Sequence, residues 1–213
     1  MYKLMEWTAK ISLMNIMWIL LTLAGFILFG FFPATVALLM VCRDLTQNNN
    51  KVVWSSFLTY FVENFIKANG YGYFVTTLNV CFISLAIHSL NNWSMVIRVP
   101  VLVIAVLTFI VSLYVLPVFS YFKGTFINHL KLSVFIALGH PVVSFVLFSL
   151  FVLNFSVIFY SNILIVFPAL FLFFMVSVSA YLTMIVLKPV FNKFSYSKDK
   201  SIFPVKKVSG SNG

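Results

Sequence analysis

The sequence predicts an all-α integral membrane protein, a five-helix transmembrane bundle with two cytoplasmic interfacial helices. Three observations predict it. Hydrophobic residues make up 62% of the 213 positions, charged residues 8%, and the mean hydropathy is +1.07, far from a soluble composition. Apolar runs long enough to cross a bilayer recur along the chain. The basic excess, 14 Lys+Arg against 4 Asp+Glu, lies at the edges of those runs rather than on an amphipathic soluble face, which points to the lipid bilayer and away from nucleic acid.

A crossing helix needs about 20 apolar residues, and the intervals between charges supply the spans at about 11–30, 70–90, 99–121, 141–160 and 163–187. They make one membrane domain, 1–187, followed by a basic cytoplasmic tail, 188–213. The first run exceeds a signal-peptide core and no small-x-small cleavage pattern follows it, so it is expected to be retained. That run, 11–42, would be about 48 Å long as a straight helix, against a hydrocarbon core of roughly 30 Å. A break is therefore expected at Gly30–Pro33, where proline removes a backbone donor. A second piece, about 33–46, then veers along the inner interface; a plain proline kink in a tilted helix is the alternative.

In "SSFLTYFVENFIKA" (55–68), Phe57, Phe61 and Phe65 recur every four residues, while Glu63 and Lys67 stand in the favourable i,i+4 order. This predicts an amphipathic interfacial helix over about 54–68, with "GYG" (70–72) turning the chain into the next span. A third interfacial piece is expected at about 124–139, after Pro117, and His140–Pro141 should open the following span. The order span, proline, interfacial helix, span occurs twice, which suggests an internal duplication of parallel orientation plus a fifth helix.

Five crossings place the termini on opposite sides, with eleven basic residues on the side of the tail and three on that of the N-terminus. The N-terminus is then outside and the C-terminus cytoplasmic. If 11–42 were instead a re-entrant hairpin, Lys3 and Lys10 would join the cytoplasmic set and the bias would be thirteen to one.

"GFFPATVALLMVCRDL", then "FLTYFVENFIKA", then "YVLPVFSYFKGTFINHLKLSVFIALGHP" together resemble the YesL family of small bacterial membrane proteins, over most of residues 11–187. The recurring elements of that family stand here as Gly30, Pro33, Ala34, Thr35, Phe57, Phe61, Asn64, Phe65, Tyr114, Pro117, Leu130 and His140. Members often lie beside genes for carbohydrate-binding proteins, sugar permeases and polysaccharide-degrading enzymes. The resemblance thus implies a role in carbohydrate uptake at the bacterial cytoplasmic membrane, with permease subunits of a carbohydrate ABC transporter as partners. Gly139 stands where the family often has a basic residue before the histidine.

Chemistry-bearing motifs are scarce. Glu6, Asp44, Glu63 and Asp199 are the acidic residues, none at the middle of a predicted span, which argues against a carboxylate proton relay or paired-carboxylate hydrolysis. There is no H-E-x-x-H, G-x-S-x-G or Walker A pattern. His88, His129 and His140 fall at different predicted depths, so no metal site or cofactor is expected. His140 is expected to satisfy nearby backbone groups with its ring, and Cys42 and Cys81 are read as small packing residues. Arg43 and Asp44, adjacent on a helix, are expected to diverge and meet other partners, with Arg43 anchoring the helix end.

Gly30 with Ala34, and Ala169 with Ser177 and Ala180, offer small surfaces for close helix approach, which leaves a homo-oligomer open. The expected function is a non-enzymatic accessory or regulatory membrane protein of carbohydrate import. The alternative is a neutral-solute or sugar transporter using Asn79, Asn154, Thr76, Thr77 and Tyr181. A membrane enzyme ranks last.

Overall fold

The computed structural model describes residues 2–47, 52–160 and 174–196. Seven helices carry them: α1 (Tyr2–Ala24), α2 (Leu28–Thr46), α3 (Val53–Asn92), α4 (Met95–Tyr121), α5 (Phe126–Gly139), α6 (Pro141–Tyr160) and α7 (Val176–Tyr196). Four, from α1 to α4, are long and apolar enough to cross a membrane, and α5 with α6 makes a fifth if that bent pair counts as one span. The last predicted span and the tail lie partly outside the described residues.

The distribution of apolar side chains suits a bilayer. Leu20, Leu23, Ile83, Ile87, Val103, Val106, Phe145 and Phe151 are exposed on helices that turn only one face inward, whereas an aqueous surface rarely tolerates so much contiguous apolar area. The interior is organised around α2. Every residue from Val36 to Asp44 on it is buried, and it packs on α3, α1, α7 and α4. The segment expected to lie along the interface is thus the central helix of the bundle.

The first interruption also falls elsewhere than at Pro33. The chain breaks at Gly25–Ile27, and Pro33 sits inside α2. Proline leaves the carbonyl four residues back without its helical donor. Here that carbonyl belongs to Phe29 and accepts the Asn69 side-chain amide at 3.0 Å, so α3 supplies the missing bond and the helix continues. At the break, Phe26 and Ile27 take φ of 52° and 63°, and Leu28 N–H bonds Phe26 O at 2.7 Å. This is the rare positive-φ γ-turn, a strained conformation for a β-branched residue.

The turn folds α1 and α2 into an antiparallel hairpin. Trp18 Nε1 donates to Thr35 Oγ1 across it at 3.1 Å. Gly25 and Gly30 make the crossing possible, because a Cβ on Gly30 would meet Thr22 O at 2.5 Å and Leu21 O at 2.6 Å. The hairpin needs no more room than the chain provides, since α1 reaches back to Tyr2 through a Lys10–Glu6 ion pair of 2.7 Å one helical turn apart.

α3 is one helix of 40 residues, joining the expected interfacial piece and the second span without a turn at Gly70–Gly72. Gly72 serves packing instead: its missing Cβ would stand 2.1 Å from the Phe32 ring. The corresponding joint between α5 and α6 is bent by 103°. Pro141 starts α6 and disfavours helical backbone at His140. The two units that the sequence suggests as a repeat therefore differ at this joint. Tyr114 OH and Ser144 Oγ, 2.7 Å apart, tie α4 to α6 beside the bend, and Ser144 Oγ donates to Ala137 O at 2.9 Å.

Candidate functional site: a charged cavity between α2, α3, α4 and α5

The last carbonyls of a helix have no helical partner and carry the negative end of its dipole. At the end of α4 two of them are met by side chains. Arg43 Nη1 donates to Ser120 O at 2.9 Å, and His129 Nε2 lies 3.2 Å from Phe122 O. A carbonyl only accepts, so Nε2 carries a proton, and Nδ1 stands 2.6 Å from Tyr71 OH. The ring is hydrogen-bonded at both nitrogens.

Arg43 and Asp44 do meet, contrary to the expectation from their adjacency. Arg43 Nη2 and Nε donate to Asp44 Oδ1 at 2.8 and 3.1 Å, and Tyr60 OH donates to Asp44 Oδ2 at 2.6 Å. The Arg43 and Asp44 side chains are 1% and 4% exposed, so Arg43 is an interior residue rather than a membrane-surface anchor. Burial removes the water that would let two neighbouring side chains part, and a charge desolvated this far requires a close partner with its remaining sites bonded. Tyr60 and the end of α4 supply those bonds.

Around this neutralised pair opens a cavity of about 680 Å³. Met40 and Arg43 come from α2, and Phe119 from the last turn of α4. α3 contributes Tyr60, Asn64, Lys67 and Tyr71, an i, i+4, i+7, i+11 stripe, with Glu63 beside it. Lys123, Gly124 and Thr125 from the α4–α5 connection close it with Phe126 and His129 of α5. Glu63, Lys67 and Lys123 are exposed at the mouth. Among the described residues neither lysine comes within ion-pair distance of a carboxylate, and the expected Glu63–Lys67 pairing is not formed.

Of the family-motif residues, Asn64 lines the cavity, its amide donating to Tyr60 O at 2.9 Å. The others lie in packing positions. Gly30 is at the hairpin crossing, Pro33, Ala34 and Phe57 are buried, and Thr35 bonds Trp18. Phe61 and Phe65 stack edge to face at 5.5 Å. Pro117 is buried, its carbonyl accepting the Ser120 hydroxyl at 2.8 Å. His140 caps α5 near Phe194, its Nδ1 buried without a hydrogen-bond partner among the described residues, so the expected ring-to-backbone bond is not made at that atom. Cys42 is buried and Cys81 exposed. Asn79 and Asn154, proposed above for a solute path, bond Val75 O and Ser179 Oγ and line neither this cavity nor an apolar groove between α3, α4, α5 and α6. The sequence does not single out Tyr60, places Tyr71 in an expected turn and names His129 only in setting a metal site aside; the polar stripe on α3 was the available signal, masked by the phenylalanine spacing on its other face.

Long apolar helices exposed on their outer faces, packed on a buried central helix, define a multi-pass helical membrane protein. Residues 11–86 match the family described as "Protein of unknown function, DUF624". The chain is 32% identical over 140 residues to the uncharacterized protein YesL of Bacillus subtilis, a match covering 65% of this chain and 66% of YesL. It is 30% identical over 123 residues to YesV of the same organism, covering 55% and 59%, and 25% identical over 184 residues to YteU, covering 85% and 80%. The matched stretches thus span about two thirds of YesL and less of YesV. No solved structure matches the chain. The chain belongs to the YesL/DUF624 family.

Proposed function

We propose that the chain is a non-enzymatic accessory or regulatory protein of oligosaccharide import in a bacterial cytoplasmic membrane, docked on an ABC-transporter permease. The observation that carries the partner-binding part is the first half of α3. It presents Val62 and Ile66, 71% and 85% exposed, beside the Glu63 and Lys67 of the cavity mouth, and apolar side chains interleaved with charge are suited to a protein partner. The carbohydrate part rests on the family resemblance.

The hairpin supports a revised orientation. Whether its tip reaches the far face or turns back within the bilayer, it returns residue 46 to the side of residue 2. Lys3 and Lys10 then share the side of Arg43, Lys67 and Lys123, and the basic bias is thirteen to one, with Arg98 alone opposite. Both termini are cytoplasmic on this reading, with α7 returning the chain to the side of Thr46, whose carbonyl Lys188 Nζ meets.

The test is a mild-detergent pull-down of the tagged chain from its native membrane, grown on a complex polysaccharide, with quantitative mass spectrometry. Stoichiometric recovery of an import permease is the expected result. Recovery of the chain alone would count against the accessory role.

A further inference from the structure

We infer that the cavity between α2, α3, α4 and α5 binds a phosphoryl group carried on a small organic body. The argument starts from charge. Arg43 is spent on Asp44 and Ser120 O, so the charges left facing the cavity are Lys67 and Lys123 against Glu63, a net excess of one positive charge. The two lysines come from different elements, α3 and the segment after α4, and neither has a carboxylate partner among the described residues. Lysine is a compact point charge suited to phosphate oxygens, which need no planar fork. Thr125, which starts α5, makes no side-chain cap to that helix, so first-turn amides at the same wall remain available to an anion as a secondary contribution.

Size and lining specify the rest. About 680 Å³ falls within the range of roughly 300–1,000 Å³ that holds small organic ligands, more room than a bare phosphate fills. Phe119, Phe126 and Met40 add apolar surface to the lining, and Asn64 and Tyr71 add polar atoms. The same phosphoryl chemistry is available from the headgroup of a phospholipid in the adjoining leaflet and from a soluble phosphate monoester. This site is independent of the import reading, because a permease can be recovered with a chain that binds no anion, and the reverse.

The experiment uses the full chain in a maltoside detergent, with calorimetric titration of two probes, dihexanoylphosphatidylglycerol and glycerol 3-phosphate. Saturable binding of at least one probe is expected. It should weaken about tenfold or more in the K67Q/K123Q variant, as the loss of charged contacts implies. It should tighten in Glu63→Gln, which removes the like charge, and be unchanged in Lys193→Gln, on the exposed end of α7. Binding of the lipid alone identifies a headgroup site, and binding of glycerol 3-phosphate identifies a soluble ligand. Absence of binding by both probes to the unmodified chain overturns the inference. So does equal affinity in K67Q/K123Q, or an equal loss in Lys193→Gln. Both substituted lysines are exposed, and Glu63→Gln gives a gain that misfolding cannot produce.

Discussion

Arg43 and Asp44, consecutive on α2, form an ion pair of 2.8 Å in the interior of the bundle, with Tyr60 completing the carboxylate at 2.6 Å. Removing one member strands the other. Asp44→Asn should cost about 3–5 kcal/mol by leaving a buried guanidinium uncompensated, whereas Tyr60→Phe, which loses one bond to a charged group, should cost about 1.5–3 kcal/mol. Thermal or denaturant unfolding in a fixed detergent reads both, and the order of the two losses is the prediction.

The hairpin tip combines strain with close approach, and the two respond oppositely to substitution. Ile27→Gly should stabilise the chain by about 1 kcal/mol, since relief of the left-handed backbone, about 1–3 kcal/mol, exceeds the added freedom of glycine in the unfolded chain. Gly30→Ala should destabilise by about 1–3 kcal/mol, because the new methyl meets backbone atoms of Thr22 and Leu21 that cannot yield as a side chain would. Melting temperatures of the two variants should move in opposite directions.

Gly70 and Gly72, two residues apart in α3, offer a second contrast. Nothing lies within 4 Å of a Cβ added at Gly70, so Gly70→Ala should gain about 0.5–1 kcal/mol of helix propensity. At Gly72 the methyl would occupy the Phe32 ring, and Gly72→Ala should be destabilising. A turn at these residues would make both substitutions costly, so the sign for Gly70 discriminates.

Orientation is open to direct labelling. In intact cells a membrane-impermeant maleimide should modify Ser94→Cys, at the α3–α4 turn beside Arg98, and leave Lys3→Cys unmodified until the membrane is opened. Labelling of Lys3→Cys from outside would restore the arrangement with the termini on opposite sides.

Bilayer character was legible because composition and run length report it directly, α4 ends just before Lys123, and α6 begins at Pro141. The N-terminal hairpin was legible only as the rival to a single span over 11–42. Treating Lys3, Glu6 and Lys10 as limits of the apolar run hid a helix that starts at Tyr2 and in which Glu6 and Lys10 neutralise each other. Pro33 drew the break away from Gly25 because the rescuing donor, Asn69, lies 40 residues away. The Arg43–Asp44 pair was hidden for a similar reason: adjacency on an exposed helix separates side chains, and only the tertiary burial of α2 brings them together. In the cavity, Asn64 was marked by the family resemblance and Glu63 and Lys67 by their spacing, whereas Lys123 and His129 join them only through the path of the chain after α4.

The length of α3 has a mechanical consequence. Forty residues in one helix make a strut of about 60 Å, roughly twice the hydrocarbon thickness. Its first half carries one wall of the charged cavity, and its far end leads to the Ser89 and Trp93 carbonyls that Arg98 clasps. With no hinge between them, a tilt imposed at one end is delivered to the other as the motion of a lever. Occupancy of the cavity and geometry at the Arg98 end of α3 are thereby coupled, and each is readable from the other.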